Sequence, residues 1–165
     1  MPAVSPYTPM NTADFIEKVE TALDASNVGA HHIDEVATLG IVLHAEVEDL
    51  LPMLNMLKAC EALQLEQLID VFGADINGKI EITYRLRSLT HNKDLLIKAS
   101  LPYGGDYTSV GEVYASAWMP ERELCEMFGL TLHGHPNPKR LLTTEGLPPF
   151  LRKEVAIRSK EDMWG

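Results

Sequence analysis

The chain has 165 residues, 45% of them apolar and 7% aromatic, with a formal net charge of -10. That size and composition fit one globular domain with a real core plus a tail. There is no run of about eighteen apolar residues to span a membrane, and Met1-Pro2-Ala3-Val4-Ser5-Pro6 lacks the parts of a signal peptide, so a soluble, intracellular protein is expected. The acidity is concentrated: residues 1–80 carry thirteen acidic and three basic side chains, whereas residues 81–165 carry eleven of each, which excludes a general nucleic-acid binder with its basic stripe.

Residues 1–11 contain three prolines and no periodicity, and read as a flexible or partner-held arm. A first helix follows, capped near Asn11 or Thr12, with Phe15, Ile16, Val19, Ala22 and Leu23 at helical spacing and Asn27-Val28-Gly29 at its end. Two short strands are expected over about 30–36 and 39–44. Val47, Leu50, Leu51, Leu54 and Leu57 then give a second amphipathic helix to about Leu63, provided Pro52 stays near its first turn.

The clearest β signal comes next. Residues 65–72 read as a strand, Asn77-Gly78 as a tight turn, and Ile80 to Arg87 as a strict alternation of apolar and polar side chains with one wet face. After Thr90 to Lys93 the chain turns again, and Leu95, Ile97, Ala99 and Leu101 alternate with polar neighbours. This predicts an antiparallel meander. The pattern helix, two strands, helix, three strands implies an α+β fold with both helices on one face of an antiparallel-rich sheet. Residues 102–107 read as a loop and 109–117 as a short helix.

The most informative stretch starts at Trp118. Pro120 suits a first helical position, Glu121 and Glu123 suit the positive helix end, and Gly129 suits a left-handed terminator, so a helix of about nine residues is expected. Leu124, Met127 and Phe128 form its apolar stripe. Glu121, Arg122, Glu123 and Glu126 form a charged surface, with Arg122 and Glu126 spaced to pair. Beyond it, Pro136 and Pro138 hold an extended basic tail that suits a partner's surface. The basic residues Lys139, Arg140, Arg152, Lys153, Arg158 and Lys160 gather here. The expected organisation is an arm over 1–11, one domain over 12–130 and a docking tail over 131–165.

Chemical signals are sparse. Cys60 and Cys125 lack CxxC spacing, and neither His31 and His32 nor His133 and His135 is joined in sequence by further ligands at metal-site spacing. No nucleotide-binding loop, GxSxG or HExxH occurs. The cluster of Glu121, Glu123 and Glu126 admits two readings. It is a solvated face where arginines land, or, with His135, the acid–base centre of a small stand-alone enzyme. A third class is a regulatory module that takes a peptide at an open sheet edge.

Glu121-Arg122-Glu123, then Met127-Phe128-Gly129, then Gly134-His135-Pro136 with Arg140-Leu141-Leu142, then Gly146, Pro149 and Leu151-Arg152-Lys153, resemble in order and spacing the signature of the C subunit of respiratory complex I, the NADH:quinone oxidoreductase. The resemblance implies a scaffold with no cofactor or catalytic residue of its own. It would clamp the large D subunit near the small cluster-bearing B subunit, on the cytoplasmic side of the membrane and peripheral to it. Iron–sulfur clusters, and nickel–iron in hydrogenase-type relatives, are then expected on the partners. It also implies an interface of Glu121, Arg122, Glu123, Phe128, Gly129, His135, Pro136, Arg140, Leu141, Leu151, Arg152 and Lys153. Cys125, Glu126 and the run Asn137-Pro138-Lys139-Arg140 depart from the family pattern, as do Pro148-Pro149-Phe150, Glu154 and the end at Gly165. These departures favour the branch of membrane-bound hydrogenases and formate hydrogenlyase over the NADH:quinone type.

Overall fold

The computed structural model describes residues 8–26, 28–29 and 31–156. The expectations for the first seven residues, for Asn27 as a helix end, for Ala30 as a strand start and for Arg158 and Lys160 lie outside them. The first helix, α1 (Thr12–Ser26), is capped at Asn11. Its side-chain Oδ1 accepts the Asp14 N–H at 2.7 Å, serving one of the unpaired donors of the first turn, while its Nδ2 donates to Asp14 Oδ2 at 2.7 Å. Phe15, Val19 and Leu23, four residues apart, are fully buried.

The strands β1 (His31–Val36) and β2 (Gly40–Ala45) form an antiparallel hairpin. The helix expected over 47–63 is divided: a single 3-10 turn at Val47–Asp49 precedes α2 (Leu50–Ala59), which puts Pro52 in the first turn where its missing N–H costs nothing. At Cys60 the backbone turns extended, and a turn seats Leu63 and Leu65 in the core, both fully buried.

The meander is present as β3 (Gln67–Ile76), β4 (Lys79–Ser88) and β5 (Lys93–Pro102). Asn77 and Gly78 both have positive φ, 52° and 79°, which is the geometry a two-residue hairpin turn requires. The first of these strands runs on to Ile76, beyond the expected 65–72, and carries a register shift between Leu68 and Asp70. The sheet order is β1-β2-β5-β4-β3, with β2 and β5 parallel, so the hairpin joins the meander at its last strand.

One sheet face carries the core. Ile41 and Leu43, Leu95 and Ile97, Ile80, Ile82 and Tyr84 meet the helices there, in one buried cluster. The other face is wet, as the alternation requires. Arg85 and Arg87 both reach Asp94, the latter at 2.7 Å, and Lys98 reaches Glu81 at 2.7 Å. A third helix, α3 (Trp118–Phe128), crosses the core face at β3. Gly73 permits this approach: a Cβ there would lie 2.8 Å from Phe128 Cε2 and 3.2 Å from Leu124 Cδ1.

Residues 102–117 differ from expectation. Asp106–Thr108 is a short strand, β6, paired in parallel with β7 (Thr131–His133), and only Ala115–Ala117 of the stretch expected to be helical forms a 3-10 turn. The signal was too short to read, since three-residue strands carry no periodicity and their partner lies on the far side of α3. Among the described residues no helix is long and apolar enough to cross a membrane.

Candidate partner interface

α3 begins two residues before Pro120 and ends as expected: Gly129 adopts φ 64°, ψ 42°, and its N–H returns to the Cys125 carbonyl. The carboxylates on this helix are not the solvated face that helical spacing suggests. Glu121 is fully buried. Its Oε1 accepts from the Tyr84 hydroxyl at 2.8 Å and the Val110 N–H at 3.0 Å, and its Oε2 faces the Ser109 hydroxyl at 2.5 Å. Burial pushes this carboxyl above its ordinary range, and the three donors oppose that rise. Burial likewise pushes the neighbouring Cys125 thiol up to about 12, so it stays a neutral thiol.

Glu126, also buried, receives the tail. Its Oε2 accepts the Leu141 and Leu142 N–H groups at 2.5 and 3.0 Å and its Oε1 accepts that of Thr143 at 2.5 Å. Burial acts to raise this carboxyl, and the Thr143, Leu142 and Leu141 donors outweigh it, holding it down at about 2. The expected Arg122–Glu126 pair does not form. Each finds main-chain partners instead, because the tail folds back between them: Arg122 Nε donates to Lys139 O at 2.8 Å and its Nη2 to Arg140 O at 3.2 Å. Of the three glutamates only Glu123 remains exposed.

A second clasp lies close by, at the C-terminal end of α3. Arg152 donates from Nε to Phe128 O at 2.6 Å and from Nη2 to Gly129 O at 2.9 Å, which sets a cation on the negative end of the helix. Its guanidinium also lies 4.8 Å from the Tyr103 ring centroid. The Tyr103 hydroxyl and the Lys153 N–H both donate to Asp75 Oδ2 and hold that carboxyl below its usual value. Leu151 N–H meets Met127 O at 3.1 Å. Between the clasps Arg140 braces the tail internally, through Leu147 O at 3.1 Å and Thr143 Oγ1 at 3.0 Å.

The structure thus gathers most of the predicted interface residues along α3 and its returning tail. His135 sits in a backbone turn, with Nε2 donating to Trp118 O at 3.0 Å and Nδ1 accepting from Asn137 N–H at 2.9 Å. Phe128 belongs to the core, and Leu141 is half-buried. Pro136, Leu151 and the Lys153 side chain face outward, as do Leu142, Phe150 and Met119. Among the described residues after β7 the tail has no regular secondary structure, and residues 139–153 lie against the body rather than projecting from it. Tyr84, Ser109, Asp75 and Tyr103 escaped the sequence reading. Their partners lie far along the chain, and nothing local marks them.

The acid–base reading of the glutamates finds no support in this geometry. Glu121 is sealed from solvent, the Glu126 oxygens are occupied by main-chain donors, and both ring nitrogens of His135 are engaged. Sequence spacing gave no carboxylate partner for the histidine pairs, yet the fold supplies them. Asp34 bridges the cross-strand pair His32 and His44 at 2.8 and 3.2 Å, and His133 meets Asp106 at 3.0 Å. These are exposed contacts, and among the described residues no group of three or more His, Cys, Asp or Glu is placed to hold a metal ion.

Comparison with known proteins finds relatives over a range that includes α3 and the described tail. The NADH-quinone oxidoreductase C subunit of Rickettsia prowazekii is 36% identical over 114 residues, covering 66% of this chain and 57% of the relative. The protein of the same name from Paramagnetospirillum magneticum is 28% identical over 154 residues, covering 91% and 76%. The chain thus spans little more than half the length of the Rickettsia protein. Among solved structures, a chain of the membrane-bound sulfane sulfur reductase, an archaeal respiratory membrane complex, shares the fold at TM-score 0.63 and 17% identity, covering 74% of this chain and 72% of that one. Residues 43–161 match the family described as respiratory-chain NADH dehydrogenase, 30 Kd subunit, and the chain belongs to that family.

Proposed function

We propose that the chain is a non-catalytic scaffold subunit of a membrane-associated, ion-translocating oxidoreductase of the complex I-like class. In this reading it clamps the large catalytic subunit, the counterpart of the D subunit, in register with a small cluster-bearing one, the counterpart of the B subunit. The observation that carries it is the double clasp on α3. A buried carboxylate and an arginine on a helix end fasten a tail whose Leu142, Phe150 and Leu151 face outward, 62%, 44% and 55% exposed. A segment ordered by its own main chain while it presents apolar side chains loses little entropy on docking, the condition for a firm protein contact. Family membership supplies the class of assembly, and the cytoplasmic face of the membrane belongs to the same proposal.

The similarity to NADH-quinone oxidoreductase subunits favours the quinone branch, and the departures at Cys125 and residues 137–140 favour the hydrogenase branch. Purification of a tagged chain from its own cells in mild detergent tests both points. The expected result is co-isolation of a large subunit and an iron–sulfur subunit, with paired CxxC motifs on the large subunit if the branch is hydrogenase-type. A chain recovered alone from both membrane and soluble fractions contradicts the proposal.

A further inference from the structure

Between α3 and the returning tail lies a half-open cavity of about 310 Å³, lined by Arg122, Cys125 and Glu126 from the helix and by Arg140, Leu147 and Pro149 from the tail. Both guanidiniums are held in place by carbonyl oxygens, Arg122 by those of Lys139 and Arg140 and Arg140 by that of Leu147. A carbonyl orients an arginine without cancelling its charge. A guanidinium has five N–H groups, so both arginines keep donors free. The one carboxylate in the lining is that of Glu126, which three main-chain N–H groups already occupy and which lies 3.8 Å from Arg140 Nε. Two fixed cations thus face one engaged anion, leaving a local excess of positive charge on a chain whose net charge is -10.

The rest of the wall is apolar, with Leu130 and Pro138 beside Leu147 and Pro149. A free inorganic anion would answer the charge and leave those walls unfilled. An aspartate or glutamate side chain answers both, its carboxylate meeting the guanidinium donors and its methylenes and backbone meeting the prolines and leucines. The geometry points to this cavity as the receptor for an acidic side chain of a partner chain, seated between Arg122 and Arg140. The inference rests on the scaffold reading and adds the chemistry of the contact.

The test places the photo-cross-linker p-benzoylphenylalanine at Leu147 of the full-length chain, assembled with its partners in cells. The Leu147 contact to Arg140 runs through the backbone carbonyl and survives the exchange. After irradiation the complex is purified and the adduct sequenced. The expected adduct is a partner peptide with Asp or Glu within two residues of the cross-link, and changing that residue to its amide lowers retention of the chain several-fold. An intact complex with no adduct, an adduct confined to this chain, or a partner peptide without a carboxylate there overturns the assignment. If the Leu147 probe blocks assembly, Pro138, a second lining position, is read by the same outcomes. A probe at Leu151, outside the cavity, separates the two claims. Partner adducts from Leu151 with none from the cavity positions remove the receptor and leave the scaffold standing, whereas failure of the unsubstituted chain to co-isolate with any partner removes both.

Discussion

Replacing Glu121 with alanine removes the acceptor for three buried donors, the Tyr84 and Ser109 hydroxyls and the Val110 N–H. A buried donor left unpaired costs about 1–3 kcal/mol. With the low value for each, since the vacated space lets side chains rearrange, the sum is about 3 kcal/mol, and about 5 kcal/mol is the ceiling for breaking a buried charged contact. For a chain of this size each kcal/mol moves Tm by about 2–4 °C, so Glu121→Ala should melt roughly 10 °C below the wild type in thermal circular dichroism.

Glu121→Gln keeps the shape. Its carbonyl can serve Tyr84 and Val110, and its amide can donate to the Ser109 oxygen, so a loss of about 1–2 kcal/mol is expected. The pH dependence distinguishes the two forms of the carboxyl. Because the folded state raises its pKa, the stabilisation it confers is complete below the ordinary carboxylate range and declines as pH rises through the raised value. Glutamine has no such dependence. The wild type's advantage over Glu121→Gln should therefore be largest near about pH 4 and shrink toward neutrality. An alanine variant within about 0.5 kcal/mol of wild type would refute the buried-network account, since that is the scale of an ordinary surface substitution.

Other perturbations address the tail and the packing of α3. In Glu126→Gln the amides of Leu141, Leu142 and Thr143 should lose hydrogen-exchange protection several-fold while those of β4 keep theirs. The Glu126 carboxyl is depressed to about 2, so in the wild type that protection is present above the ordinary carboxylate range and is lost only as pH falls toward the depressed value. Loss of protection already between pH 6 and about 4.5 would contradict the assigned partners. Gly73→Ala forces a Cβ to 2.8 Å from Phe128 Cε2 and should destabilise by about 1–3 kcal/mol in urea unfolding, with part of that recovered in the double variant with Phe128→Leu. Additive losses in the double variant would show that the strain lies elsewhere.

How far the sequence discloses this fold depends on how local each cause is. The alternation from Ile80 to Arg87 and the Asn77-Gly78 turn are local, and the meander formed where they placed it. Gly129 as a helix terminator and Pro52 in a first turn are local as well. The parallel pairing of β2 with β5 is not, since it joins residues more than fifty positions apart through a connection containing a helix and two strands. The glutamates of α3 failed for the same reason. Helical spacing puts Glu121 and Glu126 on a polar face, but the donors that bury them come from Tyr84, Ser109 and Val110 and from the backbone of residues 141–143. Backbone donors leave no mark in side-chain chemistry. Glu121, with Gly129, Arg140 and Arg152, was legible as part of a family resemblance, while the bonding roles of both glutamates required the fold.

The central claim is that the clasped tail holds a large partner subunit. Its most direct test is the yield of that subunit with a tagged chain carrying Arg152→Ala and Lys153→Ala. Arg152 loses its hold on the end of α3, and the charge at 153 is removed from the tail's outer surface. The account predicts that the large subunit is depleted relative to the wild-type preparation while the α+β body stays folded by circular dichroism. Co-purification of the large subunit at normal yield would contradict it.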